Sequence, residues 1–170
     1  MKTLLAFIGT LAILVGIVAA GFFFLGFYNI GANQEDPAVV SWALPKVREA
    51  AVDRYSAGLK PPMSLDDQAV IQAGAKAFSQ RGCYNCHGGP GVEWAKFSEG
   101  LKPDPPELKD VADDEPRAIF WVIRNGINMT GMPSFQKVGA DDKEIWSIVA
   151  FVKKISTVTP EQYKAWTAAQ

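Results

Sequence analysis

The longest apolar stretch lies at the start of the chain. From Thr3 to Ile30 there is no Asp, Glu, Lys, Arg or His, and as a helix that run measures about 42 Å against a hydrocarbon core of about 30 Å. The pattern predicts a membrane-spanning segment over residues 1–30. A cleaved secretory signal is the alternative, because Lys2 precedes the run and Val18-Ala19-Ala20 offers small residues for cleavage. Its apolar centre would be only about 7–15 residues long, and cleavage there would leave Phe22, Phe23, Phe24, Phe27 and Tyr28 at a greasy new N-terminus. The length therefore favours a retained anchor. Lys2 before the span, with Glu35 and Asp36 after it, puts the N-terminus in the cytoplasm and the remainder outside, and the Phe and Tyr cluster then forms an aromatic belt. Ala12, Gly16 and Ala20 recur at every fourth position. That face either admits a second helix at close range or reflects how common Gly and Ala are in membrane helices.

Beyond the span the periodicity changes. Asp36-Pro37 reads as a helix start, and Val40, Leu44, Val47, Ala51 and Tyr55 keep the three- and four-residue spacing of an apolar stripe. Pro45 is expected to bend or interrupt this helix, and Gly58 with Pro61-Pro62 to end it. Residues 31–63 thus read as a juxtamembrane helix and linker. The stripe is expected to pack on the chain's own globular part, since no basic face accompanies it for lipid headgroups.

That globular part is expected over residues 64–160. Ser64 with Asp67 resembles a capping box and opens a helix from about Leu65 to Gln80, with Val70, Gly74, Ala77 and Phe78 on one side and Gly82 as its stop. Residues 88–115, rich in Gly and Pro, read as loop. A short helix follows from about Glu115 to Asn125. A last helix begins at Asp141-Asp142 and turns Ile145, Ile148, Val149, Val152 and Ile155 inward. Residues 161–170 remain as a C-terminal tail. With no alternating strand pattern and no internal repeat, the predicted class is all-α.

Composition changes this picture little until the rarest residues are counted. The 170 residues carry 17 Lys and Arg against 18 Asp and Glu, a formal charge of −1, which leaves room for one domain plus an extension and removes the electrostatic case for a nucleic-acid partner. Two Cys and one His are present, and all three fall in Cys83-Tyr84-Asn85-Cys86-His87. Two thiols at this spacing can each add to a vinyl group of one porphyrin, and the adjacent imidazole can then reach the iron. One covalently attached haem c is the expected cofactor. A zinc site wants four ligands where only three Cys and His side chains exist, and a thioredoxin-like dithiol wants a βαβ setting.

With His87 on one side of the iron, no second imidazole is left for the other. Met, Cys, Lys, Tyr or a vacancy remain as the choices. Both Cys are spent on thioethers, Met1 starts the anchor, and Met63 precedes the first helix of the domain, so Met129 and Met132 are left. Pro133 holds Met132 in extended backbone, from which a thioether can be carried across a ring face. Met132 is favoured as the second metal ligand, with Met129 as packing in the cofactor pocket.

The attachment motif behind a helix bearing Gly74 and Phe78, and Gly131-Met132-Pro133 ahead of a final helix with Trp146 and Phe151, resembles the class I cytochromes c with one haem. The resemblance covers roughly residues 64–158, here in a membrane-anchored bacterial form. It implies the class I cytochrome c fold, with the first and last helices of the domain crossing near Gly74. It also implies that a Pro carbonyl, from Pro105 or Pro106 ahead of Leu108, accepts the His87 Nδ1 proton and orients the ring. The expected cofactor-binding set is Cys83, Cys86, His87, Met132, Pro106 and Leu108. Phe78, Leu108, Ile119, Phe120 and Phe135 are expected to bury the haem. Arg124, Lys96 and Lys102 are candidates for its propionates, or else ordinary surface charges.

The implied function is electron transfer rather than catalysis. Iron held by His and Met has no open position for a substrate, which leaves the one-electron change. Expected partners are the bilayer and redox proteins, namely a quinol oxidoreductase or periplasmic dehydrogenase as donor and a terminal oxidase as acceptor. No nucleic acid or small-molecule substrate is expected. Two other readings stand beside it: a permanent subunit of a larger membrane complex, gripped at Ala12, Gly16 and Ala20, and a haem enzyme in which Met132 leaves the iron.

Overall fold

The computed structural model describes residues 2–168. Met1, the last two residues of the expected C-terminal tail and the side chain of Phe23 in the expected aromatic belt lie outside the described residues. Every regular element among the described residues is helical, apart from an isolated bridge between Gly89 and Val92. The chain divides into two compact units, residues 1–35 and 36–170.

The first unit is α1, Lys2–Phe24. Its Lys2–Phe22 stretch is long and apolar enough to cross a membrane, and its side chains from Lys2 to Ala20 are exposed. The helix is shorter than the uncharged run predicts. It stops at Phe24 because Gly26 adopts a left-handed conformation, φ +70°, that L side chains rarely enter. About 35 Å of helix remains, still enough for a bilayer core.

The second unit opens with α2, Ala38–Ser56. Pro45 does not interrupt it. An interior proline costs about 3 kcal/mol of helix, offset here by tertiary contacts with α6, Pro116–Asn125. Tyr55 stacks on Trp121 at 6.2 Å between ring centroids. Arg117 donates to the fully buried Ser56 Oγ at 2.8 Å and to the Asp53 carbonyl at 3.3 Å. The expected packing of the Val40, Leu44, Val47, Ala51 and Tyr55 stripe is met only in part, because Leu44 and Val47 stay exposed. The polar contacts at the C-terminal end of α2 select the docking face, and the stripe lies beside it.

The centre of the second unit is the crossing of α3, Gln68–Gln80, with α7, Asp142–Lys154. Gly74 makes the crossing possible, since a Cβ there would sit 1.9 Å from the Ser147 carbonyl oxygen. α3 begins three residues later than the capping-box reading places it. Asp67 is its cap, accepting from the Ala69 N–H at 2.8 Å, while Ser64 accepts from Asp66. Asp141 caps α7 in the same way through the Glu144 N–H. Phe78 meets Phe151 at 5.2 Å, and Phe120 stacks on Trp146 at 4.2 Å, which joins α6 to the pair.

Residues beyond 160 are not a loose extension. Pro160–Ala168 forms α8, and Tyr163 is buried against Phe151 and Phe78. Trp166 packs against the core beside it, and two aromatic rings in a short segment are a pattern too sparse for a periodicity argument. Of residues 31–63, 31–35 fall in the first unit and the remainder in the second, where α2 packs on α6.

Candidate haem-attachment site

The end of α3 launches the motif. The Cys83 N–H bonds the Phe78 carbonyl at 3.1 Å and the Gly82 N–H bonds that of Ser79 at 3.0 Å, with Gly82 at φ +72°. This is a Schellman ending, and its next residue is the first attachment cysteine. One helical turn, α4, Tyr84–His87, then carries Cys86 and His87, closed by bonds from the His87 and Gly88 N–H groups to Cys83 and Tyr84. Asn85 fastens the turn twice, donating from Nδ2 to the Gly82 carbonyl and accepting the Ala95 N–H at 2.8 Å.

His87 is the best-defined member. Its Nδ1 lies 3.0 Å from the Pro106 carbonyl oxygen, which can only accept, so the proton sits on Nδ1 and the Nε2 lone pair is free to bind a metal. Of the two prolines offered by the sequence, Pro106 is the one placed there. Burial lowers the His87 pKa, against the pull of that hydrogen bond, and favours the neutral ring a ligand must be.

Of the two cysteines, Cys83 behaves as a buried thiol rather than a reactive one. Both are free and half-buried, and burial pushes the Cys83 thiol up to about 12. A nucleophilic or metal-binding thiol needs the opposite shift. A neutral thioether fits such an environment. No three His, Cys, Asp or Glu side chains among the described residues converge to hold a bare metal ion, so the donor set suits an iron that arrives already held by a porphyrin.

His87 borders two recesses. One, of about 720 Å³, is lined by Gly88, Pro90, Trp94, Leu108, Ile155 and Val158 among others. The other, of about 300 Å³, runs past Cys86, Trp94, Ser98, Pro105 and Pro106. Leu108, expected at the cofactor, lines the first, at the start of the single turn α5, Leu108–Val111. Phe78, Ile119, Phe120 and Phe135 are buried in the adjoining core.

Met132 and Met129 part company. Met132 is half-buried against the core, in a loop strapped to the end of α6: its carbonyl accepts the Ile127 N–H, its N–H donates to Thr130 Oγ1 at 3.1 Å, and Ser134 Oγ donates to the Arg124 carbonyl at 2.8 Å. Gly126, at φ +70°, lets the strap close, since a Cβ there would lie 2.7 Å from Pro133 and Ser134 backbone atoms. Met129 does not pack in a pocket. It is 91% exposed, in a left-handed conformation that turns it to solvent. Arg124 and Lys96 are engaged by Asp142 and Glu99.

Two features escape the sequence reading. Arg81, one residue past α3, grips Glu144 of α7 with two hydrogen bonds of 2.7 and 2.8 Å and donates a third to the Val138 carbonyl. Its pairing with Glu144 holds the guanidinium pKa above its ordinary value. Trp94 lines both recesses beside His87. An aromatic seven positions beyond the motif is a weak hint at best, and Arg81 gives none, because its partners lie far along the chain.

Comparison with known proteins adds one finding. Residues 69–152 match the family described as cytochrome C oxidase, cbb3-type, subunit III. No match to the chain was found among curated proteins or among solved structures. The matched stretch spans α3 to α7 and contains the attachment turn, the Pro106 loop and the Met132 strap. It is a cytochrome c domain of that subunit III family, an electron carrier by type, whose Cys83-x-x-Cys86-His87 motif specifies covalent haem c.

Proposed function

We propose that this chain is a membrane-tethered single-electron carrier in which His87 and Met132 would be the protein ligands of a haem iron. Attached at Cys83 and Cys86, haem c supplies one-electron exchange between ferric and ferrous iron. His87 would contribute a neutral imidazole, its Nδ1 held by the Pro106 carbonyl and its Nε2 left free to bind. Met132 contributes a soft, uncharged thioether, which favours the ferrous state and raises the potential. Two protein ligands leave no position for oxygen or peroxide. The observation that carries the reading is the contrast between the methionines, one half-buried on a strap and the other in solvent.

Carbon monoxide tests it. The ferrous protein at neutral pH should bind the gas slowly and incompletely, while Met132→Leu should bind it rapidly and fully. Rapid, full binding by the unaltered protein would point to a displaceable Met132 and a haem enzyme.

α1 serves as the anchor, with the haem domain on the periplasmic side of the inner membrane, as Lys2 and the acidic residues after the span suggest. Donor and acceptor are then a quinol-oxidising complex or dehydrogenase and a terminal oxidase. The family description, a subunit of a cbb3-type oxidase, favours a second reading in which the chain is a fixed subunit. Gentle detergent extraction followed by haem absorbance separates the two. A small single species means a tethered shuttle, and stoichiometric co-elution with an oxidase means a subunit.

A further inference from the structure

α2 is apolar on two sides, and the fold covers only one of them. Its named contacts with α6 come from Asp53, Tyr55 and Ser56 at the C-terminal end. In its first half, Val39, Val40, Ala43, Leu44 and Val47 fall within one arc at helical spacing, with Trp42 on the rim. Val39, Trp42, Leu44 and Val47 are between 59% and 70% exposed. Lys46 is the one charge in this stretch, on the rim one turn from Trp42 and paired with Glu49, and Arg48, Glu49, Asp53 and Arg54 follow it. The uncovered face is therefore confined to the half of α2 nearest to α1 along the chain.

The connecting segment identifies what lies against that face. Leu25, Phe27 and Ile30 are all strongly exposed, so apolar surface continues past the end of α1. Only residues 31–37 are free of large apolar side chains, and seven residues reach no further than about 25 Å. If Ile30 sits at the boundary of a bilayer, the start of α2 is held within that distance of it. A Trp on the rim of an aliphatic face suits the boundary between acyl chains and headgroups.

We infer that the first half of α2 lies on the lipid surface that α1 enters, with Val39, Leu44 and Val47 toward the acyl chains and Trp42 at headgroup level. This assignment rests on α1 being a retained anchor.

Photocrosslinking in native membranes tests it on the full haem-loaded chain. p-Benzoylphenylalanine in place of Leu44 or Val47 should give lipid adducts several-fold more often than the same group at Glu49, on the other side of the helix. A protein adduct at 44 and 47, from another chain or a second copy, overturns the lipid assignment. So does the absence of lipid adducts at both positions while the intact mass shows α1 retained. An intact mass that lacks residues 1–30 overturns the anchor reading itself and the tether argument with it.

Discussion

The two flanks of the proposed haem site are built differently. His87 stands on a turn that continues directly from α3, braced by the Schellman bonds of Gly82 and Cys83, the two bonds of Asn85 and the Pro106 carbonyl. Arg81, just upstream, ties the same corner to α7. Met132 instead hangs on a loop between helices, held to the end of α6 by single hydrogen bonds through Thr130, Ser134 and Ile127. One side shares the main helix crossing, whereas the other is a local strap. Damage to the first should propagate through the domain, and damage to the second should stay local.

The strongest way to break the comparison is to remove the platform. Gly74→Val puts a branched side chain where even a Cβ meets the Ser147 carbonyl, and should cost about 4 kcal/mol or more. Both flanks should fail together in a thermal melt. A variant melting within a few degrees of the parent would show that α3 and α7 can part without harm.

Next comes His87→Ala, which should abolish stable haem incorporation. Cys83→Ala or Cys86→Ala should leave one thioether, visible as a shifted α-band of the pyridine haemochrome. Met132→Leu should retain the covalent haem and nearly the parent melting temperature while the potential falls on the order of 0.1 V, out of the roughly 0.8 V that axial ligands span. Loss of folding in that variant would contradict the local strap.

Arg81→Ala should remove about 1–2 kcal/mol through the lost bidentate pair, lowering the melting temperature by several degrees with the potential little changed. The smallest effect is expected of Met129→Gln. Potential, carbon monoxide response and stability should all stay at parent values, and a fall in potential here rather than at Met132 would reassign the ligand.

Much of this architecture is legible along the chain because it is written in local chemistry. Cys83, Cys86 and His87 share one turn, Gly82 marks the helix end, and the apolar spacing of α6 and α7 exceeds what chance provides. Asp67 rather than Ser64 caps α3 because Ser64 spends its hydroxyl on the Asp66 N–H of the preceding turn, and spacing alone does not rank two such acceptors. Tyr163 and Arg81 were opaque for a different reason, since each acts on partners that only the fold brings near. The stripe on α2 was misdirected by periodicity, which reports an apolar face but not which neighbour takes it.

The crossing at Gly74 carries a consequence for the order of events during biogenesis. Its partner, Ser147, lies at the far end of the domain, so the contact closes only after almost the whole domain has been synthesised. The attachment motif emerges long before that point. Until then Cys83 and Cys86 are open to solvent, and the Cys83 thiol is free of the burial that raises its pKa in the finished domain. Folding then follows attachment, and the helix crossing acts as the latch that seals the product.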